Sequence, residues 1–171
     1  MKQVCKAAYF GAVNDFYCLK ILNDLATILP NSFQIHLCGR LTETTCHISD
    51  RIIYHGFLQG LPFGKFCDDA DIFLNPRSYV YGVSDFCFPS KLYEYLSLGR
   101  PVVSTPIDHV TPDTKEFITF SRNFSAHSFS ESMIHVWDNL EHYRKKSSTY
   151  DAQAMRSKCG HRIKKFLEEL L

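Results

Sequence analysis

The sequence predicts an α/β domain built on a doubly wound parallel sheet. Short apolar runs of strand length alternate with stretches of helical periodicity along the chain, the order that gives a parallel sheet covered on both faces. The 171 residues, 45% of them hydrophobic, suffice for one domain with its own core. No internal repeat or low-complexity tract interrupts this order.

The elements follow in sequence. Residues 4–10 form an apolar run ending at Gly11, the first strand. Residues 16–29 carry apolar positions at Leu19, Ile21, Leu22, Leu25, Ile28 and Leu29, an amphipathic helix stopped by Pro30-Asn31. Residues 33–38 alternate and end at Gly39-Arg40, the second strand; residues 41–50 are polar, threonine-rich and read as a loop. A third strand at 51–54 ends in His55-Gly56-Phe57, a short helix takes 62–69, and a fourth strand takes 71–75. Residues 77–87 read as an irregular loop. A helix from Ser90 to Gly99 and a buried strand at 102–104 come next, then a last strand at 116–120. Residues 129–144 read as one helix and 151–171 as a second, charged and amphipathic, with a soft joint at 145–149 between them.

Composition narrows the function. A net charge of +1 supplies no global field toward nucleic acid or an acidic membrane. No apolar run is long enough to cross a bilayer, and the first residues lack a signal-peptide pattern. Seven scattered cysteines fit reduced thiols in a cytoplasmic chain better than a disulfide framework. Cys5, Cys38 and Cys87 are expected in or beside the core. No Cys-x-x-Cys or His-x-x-x-His spacing occurs, so no zinc site is expected. The acidic run Asp68-Asp69-Ala70-Asp71 reads as structural, and no metal is expected.

In a doubly wound sheet the ligand lies beyond the carboxyl ends of the strands. Those loops are 11–15, 39–40, 55–57, 76–90 and 105–110. The most informative stretch, FPSKLYEYLSLGRPVVST (88–105), borders them. Pro89 suits a helix start, because its missing N–H would be unpaired there anyway. Ser90 can cap the free N–H groups. Leu92, Tyr95 and Leu96 give the packing face, and Gly99 with Pro101 ends the helix. Lys91 and Glu94, three apart, project from one side near the N-terminus. A helix N-terminus attracts anions, and a lysine beside it adds to that. A carboxylate one turn on can hold a pair of sugar hydroxyls. The combination suits a diphosphate attached to a ribose.

Preceded by DADIFLNPR (69–77), this stretch resembles the donor-binding C-terminal half of retaining GT-B glycosyltransferases of the group 1 type. In particular it is similar to those of bacterial surface-polysaccharide biosynthesis. The resemblance runs from about residue 7 to 107 and more weakly beyond. It implies a single Rossmann-like nucleotide-sugar-binding domain over 1–171, with C-terminal helices over about 127–171. The ligand it implies is a nucleoside diphosphate sugar, most simply a UDP-sugar, bound as substrate with no cofactor. Glu94 then matches the glutamate that holds the donor ribose, and Lys91 a basic residue at the diphosphate. Ser90 and Arg77 are further phosphate contacts; for Arg77 the alternative is a pair with Asp85 or Asp71. Gly11 closes the first strand at the donor. Phe88 and Pro89 bring backbone to the donor sugar, and Phe57 borders the base, by its backbone more than by its ring.

The chain departs from that pattern in three ways. No basic residue follows Gly11 until Lys20, so phosphate binding rests on Lys91, Arg77, Arg40 and the helix N-terminus. The position of a first glutamate falls at Phe86, where neighbouring Asp85 can substitute. The acceptor-binding half has no room in 171 residues. The implied reaction, hexosyl transfer to a lipid-linked or saccharide acceptor, therefore needs a missing N-terminal domain or partner subunit. Catalytic residues stay unassigned, and the chain alone is expected to be inactive. Such a partner would bring it to the inner face of the cell membrane. The last helix can cross to that partner, pack on its own sheet or pair two copies; the sequence leaves these open. A non-catalytic binding or assembly module, or a truncated inactive fragment, is the alternative. A response-regulator-like or flavodoxin-like domain is disfavoured by the lack of an acidic cluster after the first strand and of a glycine-rich phosphate loop.

Overall fold

The computed structural model of the protein describes residues 4–14, 18–41, 47–77, 90–108 and 110–150. Six strands, β1 (Cys5–Val13), β2 (Phe33–Leu41), β3 (Ile52–Tyr54), β4 (Ile72–Asn75), β5 (Val102–Ser104) and β6 (Ile118–Phe120), form one sheet. Its order is β3-β2-β1-β4-β5-β6, and every pairing is parallel. Six helices connect and cover it: α1 (Lys20–Ile28), α2 (Gly60–Asp68), α3 (Ser90–Ser97), α4 (Pro112–Lys115), α5 (Ala126–Asp138) and α6 (Leu140–Ser147). The predicted fold class is therefore the observed one.

Alternate strand residues feed two cores, as the two-residue period of a strand requires. Ile72 and Leu74 join Leu22, Leu25, Phe129 and Met133 of α1 and α5 on one face. Phe73 joins Phe66, Leu92, Tyr95 and Leu96 of α2 and α3 on the other. The second core is aromatic: Phe73 and Tyr95 stack with centroids 5.0 Å apart, and Phe10 meets both edge-on. Cys5, Cys18, Cys38 and Cys67 are buried, and none of them forms a disulfide. Burial pushes the Cys67 thiol up to about 11 and Cys5 higher still, so both are inert at neutral pH. Cys87 lies outside the described residues.

Several boundaries differ from the sequence reading. β1 and β2 run past their glycines to Val13 and Leu41, because Gly11 pairs with Gly39 and the ladder continues. α1 proper begins at Lys20 rather than at 16: the N–H groups of Cys18 and Leu19 both reach the Asn14 carbonyl, at 3.1 and 3.0 Å, in a wider turn. α2 starts two residues early, at Gly60. The single helix expected over 129–144 is two, broken at Asn139, whose backbone (φ −119°, ψ 30°) leaves the helical region while its side chain bonds the His135 carbonyl. Lys145, Lys146 and Ser147 belong to α6 and form no joint there. The turn α4 was not foreseen, although Thr111-Pro112-Asp113 carries a helix-start signal. The helix expected over 151–171 lies outside the described residues.

Asp69 and Asp71 serve the amino-terminal rim of the sheet. Asp71 accepts from the Lys6 N–H at 2.9 Å and pairs with Arg144 of α6, while Asp69 lies 3.8 Å from the Lys6 ammonium. Asp71 thus ties β1, β4 and α6 together and is not the partner of Arg77. No helix among the described residues is long and apolar enough to cross a membrane.

Candidate functional site

The sheet opens at its carboxyl rim between β1 and β4. β1 stays paired with β2 up to Val13↔Leu41, but with β4 it pairs only at Ala7↔Ile72 and Ala8↔Phe73. Beyond Ala8 the edge of β1 facing β4 would leave buried backbone groups unpaired, which is costly. Tyr95 resolves this. Its hydroxyl donates to the Phe10 carbonyl at 2.8 Å and accepts from the Phe10 N–H at 3.3 Å. Full burial holds that phenol well above its ordinary pKa, so it remains a donor. The result is a clamp that fixes α3 beside the end of β1.

The clamp sets where Lys91 falls, one helical turn before Tyr95. Its side chain lies across Gly11: a Cβ built on Gly11 would sit 2.2 Å from the Lys91 Cε and 2.9 Å from its Nζ. The ammonium also sits over the Phe10 ring, 5.6 Å from the centroid. Gly11 itself (φ +151°) occupies a conformation that L side chains rarely adopt. Behind it Gly39 is packed as tightly, since a Cβ there would meet the Gly11 carbonyl oxygen at 1.8 Å. The structure thus brings Gly11 and Lys91 together in the crevice, 80 residues apart in sequence.

Arg77 stands at the end of β4. Its N–H donates to the Thr105 hydroxyl at 3.0 Å, and Thr105 is fully buried. The Asn75 amide donates to the Ser104 hydroxyl at 2.9 Å, so the ends of β4 and β5 are laced below Arg77. Burial raises the Tyr9 phenol far above its usual range, and the nearby Arg77 charge opposes that rise; the Tyr9 hydroxyl donates to the Ala12 carbonyl at 2.8 Å. At the far side of the rim the Arg40 guanidinium lies over the Phe57 ring, 4.3 Å from the centroid. Gly56 supports this corner, its carbonyl accepting from the Gly39 N–H at 2.9 Å. Phe57 is exposed, and its ring is what the Arg40 guanidinium meets.

Glu94 and Ser90 are exposed on α3, and Ser90 is its first residue. Asp85, Phe88 and Pro89 lie outside the described residues. Arg40, Arg77 and Lys91 have no carboxylate partner among the described residues. The residues that sequence reasoning missed are the buried supports: Tyr95, Tyr9, Ser104 and Thr105. Tyr95 sits in the singled-out motif, yet helical spacing marked it only as packing. Among the described residues no group of three or more His, Cys, Asp or Glu side chains is placed to hold a metal ion.

An all-parallel sheet of this order, with its crevice at the carboxyl rim, defines a class: the doubly wound Rossmann-like domain, the architecture of one half of the GT-B fold. Within that class the sequence matches the family Glycosyl transferases group 1 over residues 12–139, and the chain belongs to this family. No curated protein matches the sequence. Among solved structures, HepE of Anabaena in complex with UDP is similar at 14% identity and a TM-score of 0.70, over 98% of this chain and 49% of that one. Sucrose-phosphate synthase of Thermosynechococcus elongatus is similar at 13% identity and a TM-score of 0.65, over 99% and 47%. WaaG, a glycosyltransferase involved in lipopolysaccharide biosynthesis, is similar at 14% identity and a TM-score of 0.66, over 93% and 46%. At these identities the likeness is one of fold. The chain spans about half the length of these structures.

Proposed function

We propose that this chain is the donor half of a retaining glycosyltransferase and holds a nucleoside diphosphate sugar, a UDP-sugar first of all. The carrying observation is Lys91 laid across Gly11 at the switch-point crevice, beside the N-terminus of α3. A diphosphate placed there meets the ammonium, the free N–H groups of the first helical turn and, from β4, Arg77. Glu94, one turn further along α3, takes the ribose hydroxyls, and the base turns toward Arg40 and Phe57. Ser90, with Phe88, Pro89 and Asp85, completes the sugar and phosphate contacts. The UDP in the HepE structure supports uridine as the first base to test.

In the reaction the glycosidic bond to the diphosphate breaks, and negative charge grows on the departing phosphate oxygen. Fixed cations and helix N–H groups stabilise that charge more than they stabilise the bound donor. The acceptor, saccharide or lipid-linked, comes from a second domain or subunit, as does any catalytic base. The role is in surface-polysaccharide assembly at the cytoplasmic face of the membrane.

Calorimetric titration with UDP, GDP and their sugar conjugates tests the reading. Binding that prefers one base and weakens at least about tenfold in Lys91→Ala, and likewise in Glu94→Ala, is expected. A folded chain that binds none of them overturns it. The absence of a basic residue at Ala12, Val13 and Asn14 favours a second reading, a non-catalytic assembly module. That module predicts no nucleotide binding.

A further inference from the structure

A cavity of about 310 Å³ lies away from the crevice, between α2 and the face of β1 and β2. It shares no lining residue with Gly11, Lys91, Arg77, Arg40 or Phe57. Its size is at the small end of ligand pockets, which run from about 300 to 1,000 Å³. The floor is apolar, from Ala8, Leu58, Pro62 and Phe66. The polar wall carries Lys6, Lys65 and Asp69. Lys6 is compensated by Asp69, 3.8 Å away, whereas Lys65 has no ion-pair partner among the described residues. Two histidines complete it: His36 and His55 stack with ring centroids 5.2 Å apart, and His36 Nδ1 lies 3.0 Å from His55 Nε2.

His36 Nε2 lies 3.4 Å from the Gln34 Oε1. Burial first, then His55 and Lys6, hold the His36 imidazole below its ordinary pKa, against the opposing charge of Asp69. The groups facing the pair are Lys6 from β1, Gln34 from β2, and Lys65, Phe66 and Asp69 from α2 and its end.

We infer that this cavity is a second ligand site, for a small carboxylate with a flat apolar body. The body lies on the Phe66 and Ala8 floor, and the carboxylate meets Lys65, with the His36–His55 pair beside it. The site is independent of the donor reading.

The test is NMR titration of the 171-residue chain with benzoate at neutral pH, using benzyl alcohol and benzylamine as controls. Saturable shifts are expected in the amide signals of Ala8, His36 and Phe66, with benzoate binding about fivefold more tightly than benzyl alcohol. Lys65→Gln, a change on an exposed helix position, should remove most of that preference. Equal binding of benzyl alcohol, or no saturable shift in a chain with a dispersed spectrum, overturns the proposal. UDP, moving Gly11 and Lys91 signals instead, reports separately on the donor crevice.

Discussion

The two rims of the sheet handle charge in opposite ways. At the amino rim Lys6, Asp69, Asp71 and Arg144 pair with one another: Asp71 takes the Lys6 N–H and the Arg144 guanidinium, and Asp69 faces Lys6. At the carboxyl rim Lys91, Arg77 and Arg40 have no carboxylate partner among the described residues, and Lys91 and Arg40 lie over aromatic rings instead. Partly buried charges that are paired hold architecture. Cations without a described counter-charge are what the proposed donor would meet. The same strands carry both rims, so the difference comes from what α3 and α6 bring to each end.

The comparison sharpens most at the two glycines of the carboxyl rim. Gly39→Ala would drive a methyl into the Gly11 carbonyl, a backbone atom that no rotamer change can move. A loss of about 3 kcal/mol or more in urea unfolding is expected. Gly11→Ala meets only the flexible end of Lys91 besides its backbone strain, so it should cost less stability and more nucleotide affinity.

At the amino rim, Asp71→Ala removes a buried carboxylate just before β4 and leaves Arg144 only the exposed Glu141, at 3.5 Å, while its buried Nε already lacks a partner among the described residues. The expected loss is about 2–3 kcal/mol, with nucleotide titration unchanged. Equal loss of binding would show that the rims are not separate devices. Tyr95→Phe keeps the stack on Phe73 but leaves the Phe10 N–H and carbonyl unpaired. About 1–3 kcal/mol of stability should go, together with nucleotide affinity, because Lys91 loses its fixed position. Unchanged affinity in that variant would detach the clamp from the site.

The smallest effect is titration of His36. Its folded pKa lies below the ordinary 6.5, so between the two values the unfolded chain binds more protons. Its contribution is present above about pH 6.5 and declines as pH falls below it. Thermal unfolding should show that decline in the parent chain and less of it in His36→Gln.

What was legible in the sequence was local chemistry. The stop of α3 before Gly99, which adopts φ +65°, follows from helix-terminus rules that act within a few residues; the residues before Ser90 lie outside the described ones. Element order, and with it the parallel class, follows from periodicity. Gly11 and Gly39 were misread as strand ends, because glycine punctuates locally, whereas here it permits two neighbouring strands to approach too closely for any side chain. Asn139 was passed over because apolar spacing continues across it.

The sequence by itself determined the α/β order, the motif helix and the lysine and glutamate on one side of it. Only the tertiary structure decided that Lys91 lies over Gly11, that Tyr95 completes the broken edge of β1, and that Asp71 belongs to Arg144 rather than Arg77. Each of these joins residues far apart in the chain. Periodicity records which face a side chain uses, but the pairing of those faces is set only when the strands take their places in the sheet.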